Sequence, residues 1–299
     1  MGLRKLRPGE ISSTGWLQKQ LDLQAKGLSG NIHKVFDDLG ENSAWLGGTG
    51  EAWERGPYYL DGLIPLAFIT KDEALIERAT HWVNCILASE NPVFGFGSLR
   101  TNDYWPRMVA VKALFSFYRA TDDERIVPFL LRYFRFVLDN IDSTGLFYWA
   151  SARALEAVGV TIELYELTGE SFLLELNKKL LEYSYDWKSY FQSLPYPQPM
   201  TSYISKTLFN LFKNIGEPIA GRARKILKEK TPHRKEKVAA FNQSKFTRLI
   251  MLTHAVNIAM AYKYPVYQAM IENKPELASL ALKGYTDLMS RHGLSIGLT

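Results

Sequence analysis

Among its 299 residues the chain holds one cysteine, Cys85. A lone thiol excludes an intrachain disulfide and a cysteine-rich metal cluster. No apolar run approaches the roughly 20 residues that a membrane-spanning helix needs, so no membrane partner is expected. The opening stretch MGLRKLRPGEISS is basic but no apolar core follows it, so the pattern of a secretion signal is missing and a cytoplasmic location is the expectation. CxxC, HExxH, a Walker glycine loop and GxSxG are missing as well. Gly47-Gly-Thr-Gly50 is rich in glycine but lacks the lysine and the strand of a phosphate loop. The histidines His33, His81, His233, His254 and His292 show no paired ligand spacing, so no metal and no cofactor is expected of this chain's own residues.

Charge of one sign is scarce outside a single segment. The formal net charge is +5. Lys213–Lys237 holds nine Lys or Arg against Glu217, Glu229 and Glu236, a net of +6 that leaves −1 for everything else. From Ile219 to Ala240 no aromatic residue interrupts the basic run, which argues against a nucleic-acid partner. Hydrophobic residues at 46% and charged residues at 22% are those of a globular protein able to bury a large core.

What the chain does have is concentrated in Asn42–Ile69. Trp45 to Asp61 carries glycine turns, two tryptophans, two tyrosines, Glu51, Glu54, Arg55 and Asp61, and Leu60 to Ile69 is then almost purely apolar. A polar-aromatic loop feeding an apolar helix reads as a pocket mouth above a buried element. Aromatic faces with carboxylates and a guanidinium suit a hydroxylated ring, because the C–H faces stack and the hydroxyls take directional hydrogen bonds. The plainer reading is a loop of structural glycines and packed aromatics.

A helical hairpin then recurs. Its turns read FITKDEALIE, YRATDDERIV, YELTGESFLL and AMIENKPELA. Thr70, Thr121 and Thr168 are separated by 51 and 47 residues, and Asn273 lies 105 further on. Thr70-x-x-Glu73, Thr121-x-x-Glu124 and Asn273-x-x-Glu276 fit a capping box. The second helix of each hairpin is amphipathic: Leu75, Ile76, Ala79, Trp82, Val83, Ile86 and Leu87 form one stripe. The first helices, near 58–69, 104–120, 150–167 and 254–271, are apolar on nearly every face and are expected to be surrounded by protein. Alternation of the two kinds at a period near 50 predicts an all-α fold, an α/α toroid, with an open solenoid as the competitor. Ser189–Lys245 breaks the repeat. It is proline-rich at YPQPMTSY, with helices expected over Tyr203–Ile215 and Ala220–Lys230.

The loops leading into the first helices carry the chemistry: Trp45–Asp61, then Asn102 to Arg107, then Phe147 to Trp149 with Arg153 and Glu156, then Thr253 to Asn257. In a toroid they converge at one end. Glu54, Arg55, Trp105 and His254 are expected to line one cavity. Each residue also has a plainer reading. His254 reads equally as a satisfied core histidine, Asp61 and Glu156 as helix-start carboxylates, Arg107 as a structural partner, and Cys85 as an inert residue of an outer helix.

WLGGTGEAWERGPYYLDGLIPLA, DYWPRMVAVKAL followed by YRATDDERI, and SKF, THAVNIAMA and ELASLALKGYTDLMSRHG further on resemble the catalytic toroid of the β-L-arabinofuranosidase-type hydrolases, glycoside hydrolase family 127 and its relatives. The resemblance covers most of the chain except roughly 189–243. It implies an (α/α)6 barrel that is incomplete here, a single partial domain over 1–299 of four to five hairpins with 189–245 as a basic insertion. It implies a glycoside hydrolase retaining configuration on L-arabinofuranosides and related plant-glycan sugars, with β-sandwich domains beyond the barrel. Family members hold a cysteine nucleophile on zinc, and those ligands are expected after Thr299, so zinc belongs to full-length relatives and this chain alone is expected to be inactive. By the same resemblance His254 contacts the sugar and Asn257 shares its face. Trp45, Glu51, Glu54, Arg55, Tyr59, Asp61, Trp105 and Arg107 belong to the pocket wall, with a carbohydrate as partner. Glu51 or Glu54 with Asp61 offers a zinc-free pair of carboxylates. A helical-repeat scaffold that binds carbohydrate or protein without turnover is the alternative. Self-association through the open barrel edge is the remaining expectation.

Overall fold

The structure is a computed structural model that describes residues 6–193, Lys225 and 234–292. It is all-helical: no strand occurs among the described residues. The helices expected over Tyr203–Ile215 and Ala220–Lys230 lie outside the described residues, as do most of Lys213–Lys237 and the chain after His292. No helix is long and apolar enough to cross a membrane among the described residues. The chain divides into two compact units, Met1–Asp139 with Glu163–Leu173 and Asn140–Ile162 with Leu174–Thr299.

In the first unit, α1 (Gly15–Lys26) precedes α2 (Arg55–Thr70), α3 (Glu73–Ala88), α4 (Tyr104–Thr121) and the first part of α5 (Ile126–Thr144). The second unit holds α8 (Trp187–Ser193), α9 (Arg234–Gln243), α10 (Lys245–Thr253), α11 (Ala255–Ala261), α12 (Lys263–Glu272) and α13 (Ser279–His292). The division falls inside α5, α6 (Leu155–Thr168) and α7 (Phe172–Tyr183). Burial follows the expected alternation in the first unit. α4 buries Trp105, Met108, Val109, Ala110, Val111 and Leu114 on successive faces, whereas α3 buries one stripe, Leu75, Ala79, Trp82, Val83 and Ile86. Each such large side chain contributes about 1.5–3 kcal/mol by leaving water. α2 packs on both α3 and α4, which places its polar N-terminal turn at one end of this core.

The recurring turns work differently from the expected capping boxes. The Thr70, Thr121 and Thr168 hydroxyls donate backward, to the carbonyls of Leu66, Phe117 and Leu164. They therefore close the preceding helix. In each turn the next residue is left-handed, with φ of 56° at Lys71, 56° at Asp122 and 72° at Gly169, and Asn273 repeats the device at 53°. The N-cap of α3 is Asp72, whose Oδ1 accepts from the Leu75 amide at 3.1 Å. A threonine in the last turn can share the i−4 carbonyl with its own amide, and Thr121 and Thr168 also accept from the amides of Asp123 at 3.3 Å and Glu170 at 3.4 Å, two residues on. The period read from the sequence is thus a period of helix ends.

The helix expected over 254–271 is two helices, α11 and α12, joined at Tyr262. It is not buried all round: Val256, Val266 and Met270 are exposed. An apolar composition marks a face that can be covered, and only a neighbouring element decides whether it is. On the buried side Phe191 of α8 stacks on Tyr262 at 5.1 Å and 18°, and a Cβ at Gly284 of α13 would come within 2.5 Å of the Phe191 ring.

Candidate functional site

In the first unit, the loop ahead of α2 is tied to itself. Gly48 lies so close to Asn42 that a Cβ would meet its carbonyl oxygen at 2.3 Å, and Gly47 has φ of 94°. The Asn42 side chain accepts from the amide and the hydroxyl of Thr49. Asp38 accepts from the Glu51 amide at 2.8 Å and from Arg55 Nη1 at 2.5 Å, and these two groups, the amide first, hold its carboxyl below the usual range. Glu51 turns its carboxylate to the α2 N-terminus, accepting from the Glu54 amide at 3.0 Å and the Arg55 amide at 3.3 Å. Burial nevertheless raises its pKa, because desolvation outweighs those amides.

The two loops expected to converge here do meet. Trp53 Nε1 donates to Asp103 Oδ2 at 2.9 Å, and Trp105 Nε1 donates to Glu54 Oε2 at 2.5 Å. Trp45 is buried, donates to the Trp53 carbonyl at 3.0 Å and packs on Phe96. Asp61 binds Lys112 at 2.9 Å. Arg107, 1% exposed, aims its guanidinium at four backbone carbonyls, those of Phe96, Ser98, Thr101 and Asp103. It fastens the loop ahead of α4 from beneath. Tyr59 is half-buried against Trp82, and burial raises its hydroxyl while a hydrogen bond from Arg78 and the Arg78 charge act the other way. A cavity of about 500 Å³ runs beside α2, and Glu54, Arg55, Tyr58 and Tyr59 belong to its wall. Trp45, Glu51, Asp61, Trp105 and Arg107 do not line it.

In the second unit, the other two loops meet. Tyr148 holds a backbone of φ 50° and ψ −104°, a region that costs a non-glycine residue about 1–3 kcal/mol. Asn242 of α9 clamps it: Oδ1 accepts from the Tyr148 amide at 2.9 Å and Nδ2 donates to the Leu146 carbonyl at 2.7 Å. The Asn242 carbonyl in turn accepts from Tyr185 at 2.9 Å. The strained residue presents Trp149, whose ring lies 4.4 Å from the Arg153 guanidinium and 5.2 Å, edge to face, from His254. His254 sits in extended backbone between α10 and α11, which turns it out of either helix. Arg153 Nε donates to Asn257 Oδ1 at 2.7 Å, and Asn257 Nδ2 donates to the Met251 carbonyl at 3.0 Å. Glu156, buried, pairs with Lys263. Nearby, Tyr185, Tyr190 and Leu252 floor a cleft of about 190 Å³ rimmed by Asp186, Ser189 and Arg248.

Sequence reasoning singled out Trp149, Arg153 and Glu156 as a loop, and His254 and Asn257 as site residues. It missed Asn242 and Lys263, which sit in helices with no motif to mark them. Asp38 and Gly62 were missed too, whereas Asp103 fell within the loop Asn102 to Arg107. Only Gly62 left a signal, an isolated glycine inside a helical pattern. Compared with protein-family models, with curated proteins and with solved structures, the chain matched none.

Proposed function

We propose that the chain is the sugar-binding part of a glycoside-hydrolase-like helical domain of the β-L-arabinofuranosidase type. It takes L-arabinofuranosides or related plant-glycan sugars, and retaining hydrolysis belongs to a longer form. The observation that carries this reading is the cluster in the second unit, where Trp149 meets Arg153 and His254 while Arg153 holds Asn257. An indole flanked by a guanidinium and an imidazole suits a hydroxylated ring, as the resemblance implies for His254, while Asn257, buried with both amide atoms engaged, holds Arg153 in place. Closure of the hairpins into an (α/α)6 toroid is part of the same proposal, supported by the alternation of buried and one-sided helices in the first unit.

The zinc–thiolate centre of the relatives does not fit the residues here. Burial pushes the Cys85 thiol up, away from the thiolate that a metal needs, and His81 Nε2 lies 3.8 Å off. Among the described residues no three of His, Cys, Asp or Glu gather at one point. Glu51, Glu54 and Asp61 are engaged by helix amides, an indole and a lysine. No catalytic residue is therefore assigned and no step runs through a metal.

Titration with p-nitrophenyl β-L-arabinofuranoside, followed by tryptophan fluorescence, tests the reading. Saturable binding is expected, lost in Trp149→Ala and His254→Ala proteins that keep native helicity. Equal affinity in wild type and both variants overturns it. A protein-binding or self-associating scaffold is the second reading, favoured by the exposure of Trp16 at 78% and Leu23 at 68% on α1. Size-exclusion chromatography with light scattering should then show an oligomer that Trp16→Lys dissociates. A wild-type monomer throughout removes that reading.

A further inference from the structure

Three side chains meet in the sugar cluster, and they are held in different ways. Arg153 is tied to Asn257 by a hydrogen bond of 2.7 Å, and His254 is set by the extended backbone between α10 and α11. Among the described residues the Trp149 side chain makes ring contacts and no hydrogen bond. Nothing directional holds the indole, so its place follows from the backbone that carries it. That backbone starts at Tyr148, with φ of 50° and ψ of −104°. Glycine enters this region freely, whereas a residue with a Cβ stays there only when its surroundings hold it. The short helix Trp149–Ala152 begins at the next residue, and the Tyr148 carbonyl accepts from the Ala152 amide at 3.2 Å. A Tyr148 relaxed to negative φ would therefore turn Trp149 to a new direction.

α9 grips this turn from one face. Val238, Phe241 and Asn242 stand three and four residues apart and so are neighbours on the helix surface. Val238 Cγ1 lies 3.3 Å from where a Cβ of Gly145 would stand. Phe241 packs on Phe147 at 5.0 Å and edge to face on Tyr148 at 5.7 Å. These two contacts are apolar and carry little direction. Asn242, 6% exposed, acts on the backbone itself, accepting from the Tyr148 amide and donating to the Leu146 carbonyl. One acceptor and one donor of the same amide group match one donor and one acceptor of the turn, which fixes the peptide between them. The Asn242 carbonyl is held in turn by the Tyr185 hydroxyl.

We infer that Asn242 is the positioning residue of the sugar site: by holding Tyr148 it stands Trp149 against Arg153 and His254. This rests on the sugar-binding reading above.

The test uses the whole chain and two readouts. The first is the near-ultraviolet circular dichroism of Trp149, taken as the difference between each protein and its Trp149→Phe counterpart. The second is the affinity for p-nitrophenyl β-L-arabinofuranoside by calorimetry. Asn242→Ala should flatten the Trp149 band and weaken binding by at least about tenfold. Adding Tyr148→Gly to Asn242→Ala should regain at least about threefold of that affinity, because glycine reaches the required backbone without the clamp. A merely structural role gives the opposite result, since Tyr148→Gly removes a further packed ring. Wild-type affinity in Asn242→Ala overturns the proposal, as does an unchanged Trp149 band or the absence of recovery with Tyr148→Gly. If Asn242→Ala loses its helical circular dichroism, Asn242→Leu, which keeps the volume without either bond, decides by the same measurements. If wild type binds no sugar, the sugar-binding reading falls and this inference with it. If wild type binds and the Asn242 variant binds equally, only this inference falls.

Discussion

Replacing Arg107 by methionine separates a structural role from a pocket role. Methionine keeps much of the apolar volume and removes every donor. Four bonds disappear, to the carbonyls of Phe96, Ser98, Thr101 and Asp103. A hydrogen bond from a charged donor is worth about 1.5–3 kcal/mol net, so the gross loss is about 6–12 kcal/mol. Against this, the variant no longer buries a cation, and that relief amounts to several kcal/mol. Burial lowers the Arg107 pKa, the direction in which such a penalty acts. The net cost is then about 2–5 kcal/mol, a substantial part of a typical stability of about 5–15 kcal/mol. At about 2–4 °C per kcal/mol, the melting temperature should fall by roughly 5–15 °C. Arg107→Lys should recover less than half, since one ammonium cannot span four carbonyls held in different directions. Thermal melts by circular dichroism measure the loss. Hydrogen exchange over residues 94–103 should show the loop amides losing protection. The reasoning is refuted if Arg107→Met melts within about 1 °C of wild type. It is equally refuted if sugar binding is lost at unchanged stability, the outcome expected of a pocket-wall residue.

Two further outcomes follow from the same geometry. Burial raises the Glu51 carboxyl above its ordinary 4.5, so the folded chain holds that proton more tightly than the unfolded one. Its contribution is therefore full below pH 4.5 and is lost as pH rises through the higher folded value. Glu51→Gln should match wild type in acid and exceed it at neutral pH in urea melts. A wild-type advantage that grows with pH would contradict the cause given. Asn242→Ala leaves the Tyr148 amide and the Leu146 carbonyl without their partner, at about 1–3 kcal/mol each. Chemical denaturation should show a loss of about 2–5 kcal/mol, partly offset as the Tyr148 backbone relaxes. Wild-type stability would mean that the strained turn does not depend on this clamp.

Local physics was enough for the amphipathic helices, though not for the expected helices over 150–167 and 254–271, each of which is two. The stripe Leu75, Ala79, Trp82, Val83 and Ile86 could only be covered as one face of a helix, and the structure covers it. The near-50-residue period was equally legible, because the helices ending at Thr70, Thr121 and Thr168 each close with a left-handed residue at the next position. The sense of the turn was not. Thr70 and Thr121 can satisfy an amide ahead or a carbonyl behind; both donate to the carbonyl, and Thr121 also accepts from the Asp123 amide, one residue short of the capping-box position.

The candidate site divides along the same line. Residue types alone showed which loops carry aromatics, carboxylates and guanidinia. What each group does depends on partners far away in the chain. Arg107 and Arg153 look alike as arginines at helix starts, yet Arg107 is surrounded by carbonyls of its own loop and Arg153 lies over Trp149. Hydrophobic periodicity is a property of neighbours along the chain, so the sequence determines it. The satisfaction of a buried charge is a property of neighbours in space, so only the tertiary structure decides it.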